Sequence, residues 1–485
     1  MEIKELKPIE VFHYFSEICK VPRPSKKEEK MIAFLKAFGK EHGLATTVDE
    51  VGNVKIDAPA TKGMENRKKI ILQCHEDMVC EKNADVKHDF SKDPIEPYVD
   101  GEWLRAKGTT LGADDGIGIA TCLAILASKD VEHGPIECVF TRDEETGMTG
   151  AFGMKADFMD GDILINLDSE DEGEMFIGCA GGASTEADFK YKVVPVPEDF
   201  YSFKVEVKGL NGGHSGDDIN KGRANANKLL VRFLLKLADK YPFYLCSIDG
   251  GGLHNAIPRE AHAVCAVPTA VKEHVRADLN IYIAEVEREF AVTEKGLAMD
   301  LNTVRRPKEA IDPRAGKKIL RSLYAVFNGV YAMSQSIPGF VETSTNLASI
   351  KMIDGKIHVV TSQRSSIESQ CADVSETVRS AFLLGGAKVV TGDGYPGWEP
   401  NPNSEILKIV VESYKNIFGR EPKVRAIHAG LECGLFLKSY PKLDMVSFGP
   451  TMRGVHSPDE RLEIKTVDMF WKHLIDVLKN IPVKN

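Results

Sequence analysis

A histidine and an aspartate two positions apart follow a run of apolar residues in the first part of the chain. Residues 70–72 (IIL) predict a buried strand, and His75 and Asp77 come at its end. An imidazole can ligate a metal ion, and a carboxylate beside it can orient the ring. Taken alone, the pair is better explained as a polar strand end, so a metal site needs support from other segments.

Three later segments combine carboxylates with an apolar run in a similar way. Asp114 and Asp115 precede an apolar helix predicted over 117–127, the run 143–145 follows the apolar segment PIECVFT, and Asp168 follows DILINL. In open α/β sheets, the carboxyl ends of the strands are where sites form. The first two segments also have a simpler interpretation, because adjacent acids cap helices and acidic runs form solvated loops.

These residues, with a histidine near the C-terminus, could form one metal centre. Two imidazoles and three carboxylates are too many ligands for one tetrahedral zinc ion, but they suit two metal ions that share a carboxylate. Such a pair polarises a carbonyl and generates hydroxide from a shared water, and the ligand types suit zinc, cobalt or manganese. The five residues are His75, Asp114, Glu145, Asp168 and His456.

Two more acids could support that centre. Asp77 is close enough in sequence to orient His75. Glu144 stands beside the candidate ligand Glu145 and could take a proton from water held between the metal ions.

Length and composition exclude several classes of protein. The 485 residues predict about two to four domains, and a hydrophobic share of 43% permits a large core. A net charge of −10 argues against nucleic acid as a partner, because phosphate binding needs clustered Lys and Arg. The ten cysteines occur singly, which indicates reduced thiols. With no signal peptide or membrane-spanning run, we expect a cytoplasmic protein without a membrane partner.

The order of predicted elements indicates an α/β fold with an insertion. Strands alternate with helices in residues 1–185 and again in 400–485, which predicts one α/β domain built on a sheet flanked by helices. Residues 186–399 predict a second α/β domain inserted into the first, and their repeated order of elements suggests two related halves. Near the N-terminus, Ser25 and Glu28 match a capping box and predict the start of a helix.

A series of short motifs extends over nearly the whole chain. They are HED at 75–77, GADDG at 112–116, DEET at 143–146, NLDSE at 166–170, GGHSG at 212–216, NAIPRE at 255–260, HAGLECG at 428–434 and GPTMRGVHSPDE at 449–460. Together they resemble the motifs of the co-catalytic dinuclear zinc exopeptidases, and most closely those of the aminoacylhistidine (Xaa-His) dipeptidases. The resemblance implies a catalytic domain with a mixed, largely parallel sheet, interrupted by an inserted α/β lid domain.

The resemblance implies a role for each candidate ligand. Asp114 would bridge two divalent metal ions, with zinc as the expected metal and cobalt or manganese as alternatives. His75 and Asp168 would complete the site of one ion. Glu145 and His456 would complete the site of the other.

The resemblance also implies roles around the substrate. Glu144 would be the general base, and Asp77 would orient a metal ligand. His214 in the inserted domain would stabilise the oxyanion, which requires a donor aimed at the developing charge. Asn255 would contact the substrate, and Arg364 would bind the carboxylate of the dipeptide, because an arginine fork pairs well with a carboxylate.

The implied reaction is metal-dependent hydrolysis of dipeptides of the carnosine-like Xaa-His type. A broader di- or tripeptidase and an N-acyl amino acid hydrolase stay open, because the fold and the metal site do not fix the side-chain pocket, which His428 would help to shape. A non-catalytic binding protein is the alternative from another class. The resemblance suggests a homodimer through the inserted domain, whereas two related halves in that domain would permit a monomer.

Overall fold

The structure, a computed structural model, describes residues 3–392 and 394–484 and divides the chain into two compact units. The first unit contains the chain up to Gly178, Pro400–Ala426 and the chain from Leu431 onward. The second unit contains Cys179–Glu399 and Ile427–Gly430. Residue 393, which falls in the predicted inserted domain, lies outside the described residues.

The helices are α1 (Ile9–Ile18), α2 (Glu29–Glu41), α3 (Ala113–Ala127), α4 (Glu144–Gly147), α5 (Thr149–Gly153), α6 (Ala226–Lys240), α7 (Lys272–Glu289), α8 (Pro313–Ala325), α9 (Glu368–Leu384), α10 (Glu405–Phe418), α11 (Glu432–Ser439) and α12 (Ile464–Lys479). Short 3-10 helices occur at Ile3–Glu5 and Thr269–Val271. No helix within the described residues has the length and apolar character needed to cross a bilayer.

The strands are β1 (Ala45–Val48), β2 (Val54–Ala58), β3 (Ile70–His75), β4 (Pro97–Asp100), β5 (Trp103–Ala106), β6 (Ile136–Thr141), β7 (Ile163–Asn166), β8 (Glu174–Cys179), β9 (Gly181–Lys190), β10 (Val193–Pro195), β11 (Phe200–Lys208), β12 (Gly213–His214), β13 (Tyr244–Gly251), β14 (Ala256–Ile257), β15 (Ala261–Pro268), β16 (Ala298–Thr303), β17 (Glu309–Ile311), β18 (Gly329–Met333), β19 (Val341–Ile353), β20 (Lys356–Ser365), β21 (Lys388–Thr391), β22 (Lys423–Ile427), β23 (Asp444–Ser447), β24 (Met452–Arg453) and β25 (Arg461–Glu463).

The first unit is built on an eight-stranded sheet among its described residues, with the order β1-β2-β6-β3-β7-β23-β8-β22. The central strands β6, β3, β7 and β23 run parallel to one another. Every residue of β3, β6 and β7 is buried, as expected for strands covered by helices on both faces. The mixed α/β sheet predicted from the sequence is therefore confirmed.

The register of the central strands brings the predicted site segments to one edge of this sheet. His75 is paired with Thr141 between β3 and β6, and Gln73 with Asn166 between β3 and β7. These strands are parallel and end at nearly the same level. The residues that follow them therefore emerge side by side.

The second unit is built on an antiparallel sheet with the order β16-β11-β15-β13-β19-β20-β9-β21, and β18 pairs with β19. Apolar side chains of α6, α7, α8 and α9 form one core with this sheet. The predicted first domain ended at residue 185, within β9. Because the whole of β9 pairs with β20, this strand belongs to the sheet of the second unit.

The predicted capping box at the start of the second helix is wrong. α2 begins after Glu28, and no side chain caps its first turn. The Ser25 hydroxyl instead donates to Asp77 Oδ2 at 2.7 Å, and Glu28 Oε2 accepts from Arg142 Nε at 2.7 Å. Both side chains hold the turns that follow β3 and β6, so their tertiary partners prevail over the local cap.

Candidate metal centre

Two sets of side chains in the first unit place an imidazole nitrogen against two carboxylates. His75 Nε2 lies 3.0 Å from Asp114 Oδ1 and 3.4 Å from Asp168 Oδ1. His456 Nε2 lies 3.2 Å from Asp114 Oδ2 and 2.9 Å from Glu145 Oε2. Asp114 is common to both sets and gives one oxygen to each imidazole.

When no metal ion is bound, the surroundings of these sets favour a positive charge on both imidazoles and a negative charge on Asp114. Burial opposes the charge on Asp114, but hydrogen bonds from His456 and His75 outweigh it and lower its pKa. Burial likewise opposes the charge on His75, yet Asp168 and Asp114 raise its pKa well above the usual value. Hydrogen bonds to Asp114 and Glu145 raise the pKa of His456 to about 11. The protonated rings of His75 and His456 therefore place positive charge where a metal cation would also be stabilised.

The residues present fit two divalent ions. Each set offers one imidazole nitrogen and carboxylate oxygens from two residues, and the shared carboxylate of Asp114 has an oxygen for each set. Ligand atoms of His75, Asp114 and Glu145 all lie within 4.8 Å of one another. Glu145 Oε1 is buried without a hydrogen-bond partner among the described residues, as expected for an acceptor that needs a cation. Imidazole and carboxylate together suit zinc, cobalt or manganese.

Asp77 connects the first imidazole to the turn that contains Glu144 and Glu145. Its Oδ1 lies 3.2 Å from His75 Nδ1 and accepts the Glu144 backbone N–H at 3.1 Å. Its Oδ2 accepts the Glu145 backbone N–H at 3.3 Å and the Ser25 hydroxyl at 2.7 Å. Asp77 is fully buried, so it fixes the ring and the acidic turn in one arrangement.

Glu144 is half-buried at the start of α4, beside the carboxylates of the site. Burial raises its pKa well above the usual value, and the charges of Asp168, Glu432 and Glu145 add to that effect. A carboxyl group that resists ionisation is a strong proton acceptor once ionised. That property suits a general base working near neutral pH.

Glu432 is a buried acid near the site that the sequence analysis missed. Its Oε2 accepts from Gln73 Nε2 at 2.7 Å and from the Thr141 hydroxyl at 2.6 Å. Burial raises the pKa of Glu432 to about 7. It lies in the motif at 428–434 as the first residue of α11, where an acid is favourable without any role in a site.

In the second unit, His214 and Arg364 lie side by side. His214 Nδ1 accepts the backbone N–H groups of Gly216 at 3.3 Å and Asp217 at 3.2 Å, which puts the proton of the neutral ring on Nε2. Burial, and then the charge of Arg364, lower the pKa of His214 and favour that neutral ring. Arg364 Nη2 lies 3.4 Å from His214 Nε2, and its Nη1 donates to the Tyr395 hydroxyl at 2.9 Å.

The remaining two predicted residues also lie in the second unit. His428 is buried, its Nε2 is 2.7 Å from the Ser344 hydroxyl, and burial lowers its pKa to about 3. Asn255 is exposed, and its backbone carbonyl accepts the Ser215 N–H at 2.8 Å, which ties its turn to the turn of His214. The structure thus brings the five candidate ligands together with Asp77 and Glu144 in one unit, and His214 with Arg364 in the other.

The chain is similar to a known protein family and to proteins of known structure. The model of peptidase family M20/M25/M40 matches residues 71–480. The cytosol non-specific dipeptidase of Escherichia coli (strain K12) is 46% identical over 483 residues, covering 100% of both chains. The crystal structure of aminoacylhistidine dipeptidase from Vibrio alginolyticus has a TM-score of 0.94 at 44% identity, covering 100% of this chain and 99% of that one. A tripeptidase from Staphylococcus aureus shares the fold, with a TM-score of 0.57 at 16% identity, covering 98% of this chain and 99% of that one.

Proposed function

The chain belongs to peptidase family M20/M25/M40, and from that premise we propose that it is a dipeptidase that uses two divalent metal ions held around Asp114. The observation that carries this proposal is the pair of imidazole–carboxylate sets that share Asp114. Zinc is the proposed metal, with cobalt and manganese as alternatives that the same ligand types accept.

The names of two full-length relatives support dipeptides as substrates. One is called a non-specific dipeptidase and the other an aminoacylhistidine dipeptidase. We therefore propose Xaa-His dipeptides such as β-alanyl-histidine as substrates. The first of these names also favours a second candidate, a dipeptidase with a broader range of side chains. Rates with a panel of dipeptides that differ only in the second residue would separate the two.

His75 and Asp168 would hold one ion, Glu145 and His456 the other, and Asp114 would contribute an oxygen to each. When bound, two such ions polarise the scissile carbonyl and lower the pKa of water. Asp77 keeps the His75 ring in place through Nδ1, which leaves Nε2 directed at Asp114 and Asp168.

Glu144 moves the proton in this proposal. The neighbouring Glu145 is a proposed ligand, and Asp77 accepts the backbone N–H groups of both Glu144 and Glu145. The Glu144 carboxylate would therefore stay beside the attacking water. Glu144 takes a proton from the attacking water and later returns it to the leaving amine.

His214 and Arg364 would bind anionic oxygens of the substrate. His214 Nε2–H and Arg364 Nη2 are two donors 3.4 Å apart, and no carboxylate of the described residues forms an ion pair with Arg364. A buried cation without a counter-ion is stabilised by an incoming anion. We assign His214 to the oxyanion that forms during attack and Arg364 to the substrate carboxylate.

Asn255 and His428 are proposed substrate contacts. Asn255 is exposed, so its amide is free to meet a ligand, and His428 is a neutral ring fixed by Ser344. His428 would therefore line the side-chain pocket without adding charge to it.

Location and assembly are part of the same proposal. The relative from Escherichia coli is named as a cytosolic protein, which supports a cytoplasmic location for this chain. We also propose a homodimer through the inserted domain, 186–399. Light scattering on purified protein should then give twice the chain mass of 53.4 kDa, and the single mass would refute the dimer.

Replacement of Glu144 tests the proposed function. E144Q keeps the size of the side chain and removes the base, so kcat for β-alanyl-histidine should fall by about 10²- to 10⁴-fold. Its content of zinc should equal that of the wild type, because Glu144 is not a proposed ligand. The measurements are steady-state kinetics and metal analysis of the same samples.

E145Q is the matched control for this experiment. It changes the adjacent residue in the same way, but that residue is a proposed ligand, so zinc content and turnover should fall together. Wild-type turnover in E144Q would exclude Glu144 as the base. A metal-free wild type that hydrolyses the dipeptide at full rate would exclude the whole proposal.

A further inference from the structure

Glu460 accepts hydrogen bonds from four consecutive backbone N–H groups. Its Oε2 accepts from Leu111 at 2.7 Å and Gly112 at 3.0 Å, and its Oε1 accepts from Ala113 at 2.7 Å and Asp114 at 3.3 Å. The side chain is only 2% exposed. A single buried carboxylate therefore accepts all four N–H groups of the turn that leads to Asp114, the proposed bridging ligand.

This turn has little other means of satisfying its N–H groups. Gly112 is left-handed with φ of 67°, and Asp114 and Asp115 depart from helical geometry at the start of α3. The first N–H groups of a helix have no partner within the helix and need an acceptor from outside. In the described residues that acceptor comes from a segment far away in the sequence.

Arg23 holds the same turn through its carbonyl groups. Its Nη2 donates to the Gly112 carbonyl and its Nη1 to the Asp77 carbonyl, and the side chain is 3% exposed. Glu460 thus holds the turn of Asp114 through its N–H groups, and Arg23 holds the same turn through the Gly112 carbonyl group. Arg23 also connects the turn of Asp114 to the turn that follows β3, through the Asp77 carbonyl group.

We propose that Glu460 is a positioning residue that fixes the backbone of Asp114, so that one carboxylate oxygen faces His75 and the other faces His456. Glu460 and His456 belong to one segment, 449–460. That segment therefore supplies one proposed ligand and sets the direction of the shared one. This inference rests on the proposed function, in which Asp114 and His456 bind metal.

Position 460 requires a carboxylate rather than an amide. An ionised carboxylate offers two oxygens that only accept, whereas an amide of the same shape offers one oxygen and an NH₂ donor. In E460Q, two of the four N–H groups would face that donor and lose their acceptor. The backbone of the turn should shift, so that the two oxygens of Asp114 no longer face His75 and His456 at the same time.

Cobalt titration of chelator-treated protein tests this inference, because bound cobalt is followed by its visible absorption without any assay of turnover. E460Q should bind cobalt about 10- to 100-fold more weakly than the wild type, as seen when groups that orient metal ligands are changed. Its absorption spectrum should change as well, since the coordination around Asp114 changes.

E294Q is the matched control. Glu294 is also buried and also accepts backbone N–H groups on both oxygens, from Asn211 at 2.8 Å and Ala224 at 3.0 Å, but it lies in the second unit. Both variants should lower the urea midpoint of unfolding, and only E460Q should weaken cobalt binding. Wild-type cobalt affinity in E460Q, or equal weakening in both variants, would overturn the proposed role.

Two outcomes separate this inference from the proposed function. A wild type that binds no cobalt refutes the metal centre itself. If E460Q does not fold, hydrogen exchange of the metal-free wild type decides. The N–H groups of 111–114 should exchange slowly, because Glu460 holds them even without metal, and fast exchange there would refute the role of Glu460.

Discussion

Asp114 is the residue whose two oxygens serve both imidazoles, and its neighbours differ in how far the sequence reveals them. The sequence indicates His75, Asp114, Glu145 and Asp168 because each comes just after or just before an apolar run. Glu460 has no such local signal. Its partners are N–H groups about 350 positions earlier in the chain, and an acid in a charged turn is usually solvated.

Arg364 provides a prediction at the residue scale. The R364Q variant removes the positive charge beside His214, so KM for dipeptides with a free carboxylate should rise by about 10- to 100-fold, the value of one or two charge-assisted hydrogen bonds. Dipeptide amides, which lack that carboxylate, should show nearly equal kinetics with both proteins. Steady-state kinetics on matched acid and amide pairs measures the difference.

The proposed pairing of Arg364 with the substrate carboxylate is open to direct contradiction. Equal losses for the acid and the amide would mean that R364Q disturbs the unit rather than a contact with the carboxylate. T391V is a suitable control, because Thr391 lies in the same sheet as Arg364 on the edge strand β21 and has no proposed role.

At the scale of elements, periodicity in the sequence predicts the parallel strands well and the helix starts poorly. The apolar runs of β3, β6 and β7 are buried throughout, so each reads as a strand. The capping box at Ser25 and Glu28 failed because both side chains find partners in other turns. Local motifs describe what a segment can do alone, and tertiary contacts decide between the alternatives.

The C-terminal helix α12 provides a prediction about pH. His473 on this helix is buried, its Nε2 is 2.9 Å from the Val410 carbonyl oxygen, and burial lowers its pKa to about 4. The unfolded chain binds a proton at a pKa of about 6.5 and the folded protein does not. The free energy of unfolding should therefore fall as pH drops from 6.5 toward 4, by about 3 kcal/mol from this group.

H473Q isolates this contribution. Glutamine does not titrate, so the variant should lose stability less steeply than the wild type between pH 6.5 and 4. Urea unfolding at several pH values measures both slopes, and titrations shared by the two proteins cancel in the difference. H13Q makes the same substitution at an exposed histidine and serves as the control. Parallel curves for H473Q and wild type would contradict the buried, neutral state of His473.

At the scale of the whole molecule, the sequence predicts an interrupted domain, and the structure divides the chain into two units that alternate along it. The predicted boundary at residue 185 falls within several residues of the start of the second unit at Cys179, because β8 and β9 follow one another directly. The short return of 427–430 to the second unit has no sequence signal. It depends on pairing between segments that are distant in the chain.

We propose that distant segments of the first unit converge so that two metal ions bind on either side of Asp114. Anomalous X-ray scattering at the zinc edge, from crystals of the zinc-loaded protein, tests it most directly. We expect two zinc peaks, one against His75 and Asp168 and one against Glu145 and His456, with the Asp114 carboxylate between them. A single peak at Asp114, or zinc bound elsewhere with these five side chains free, would contradict it.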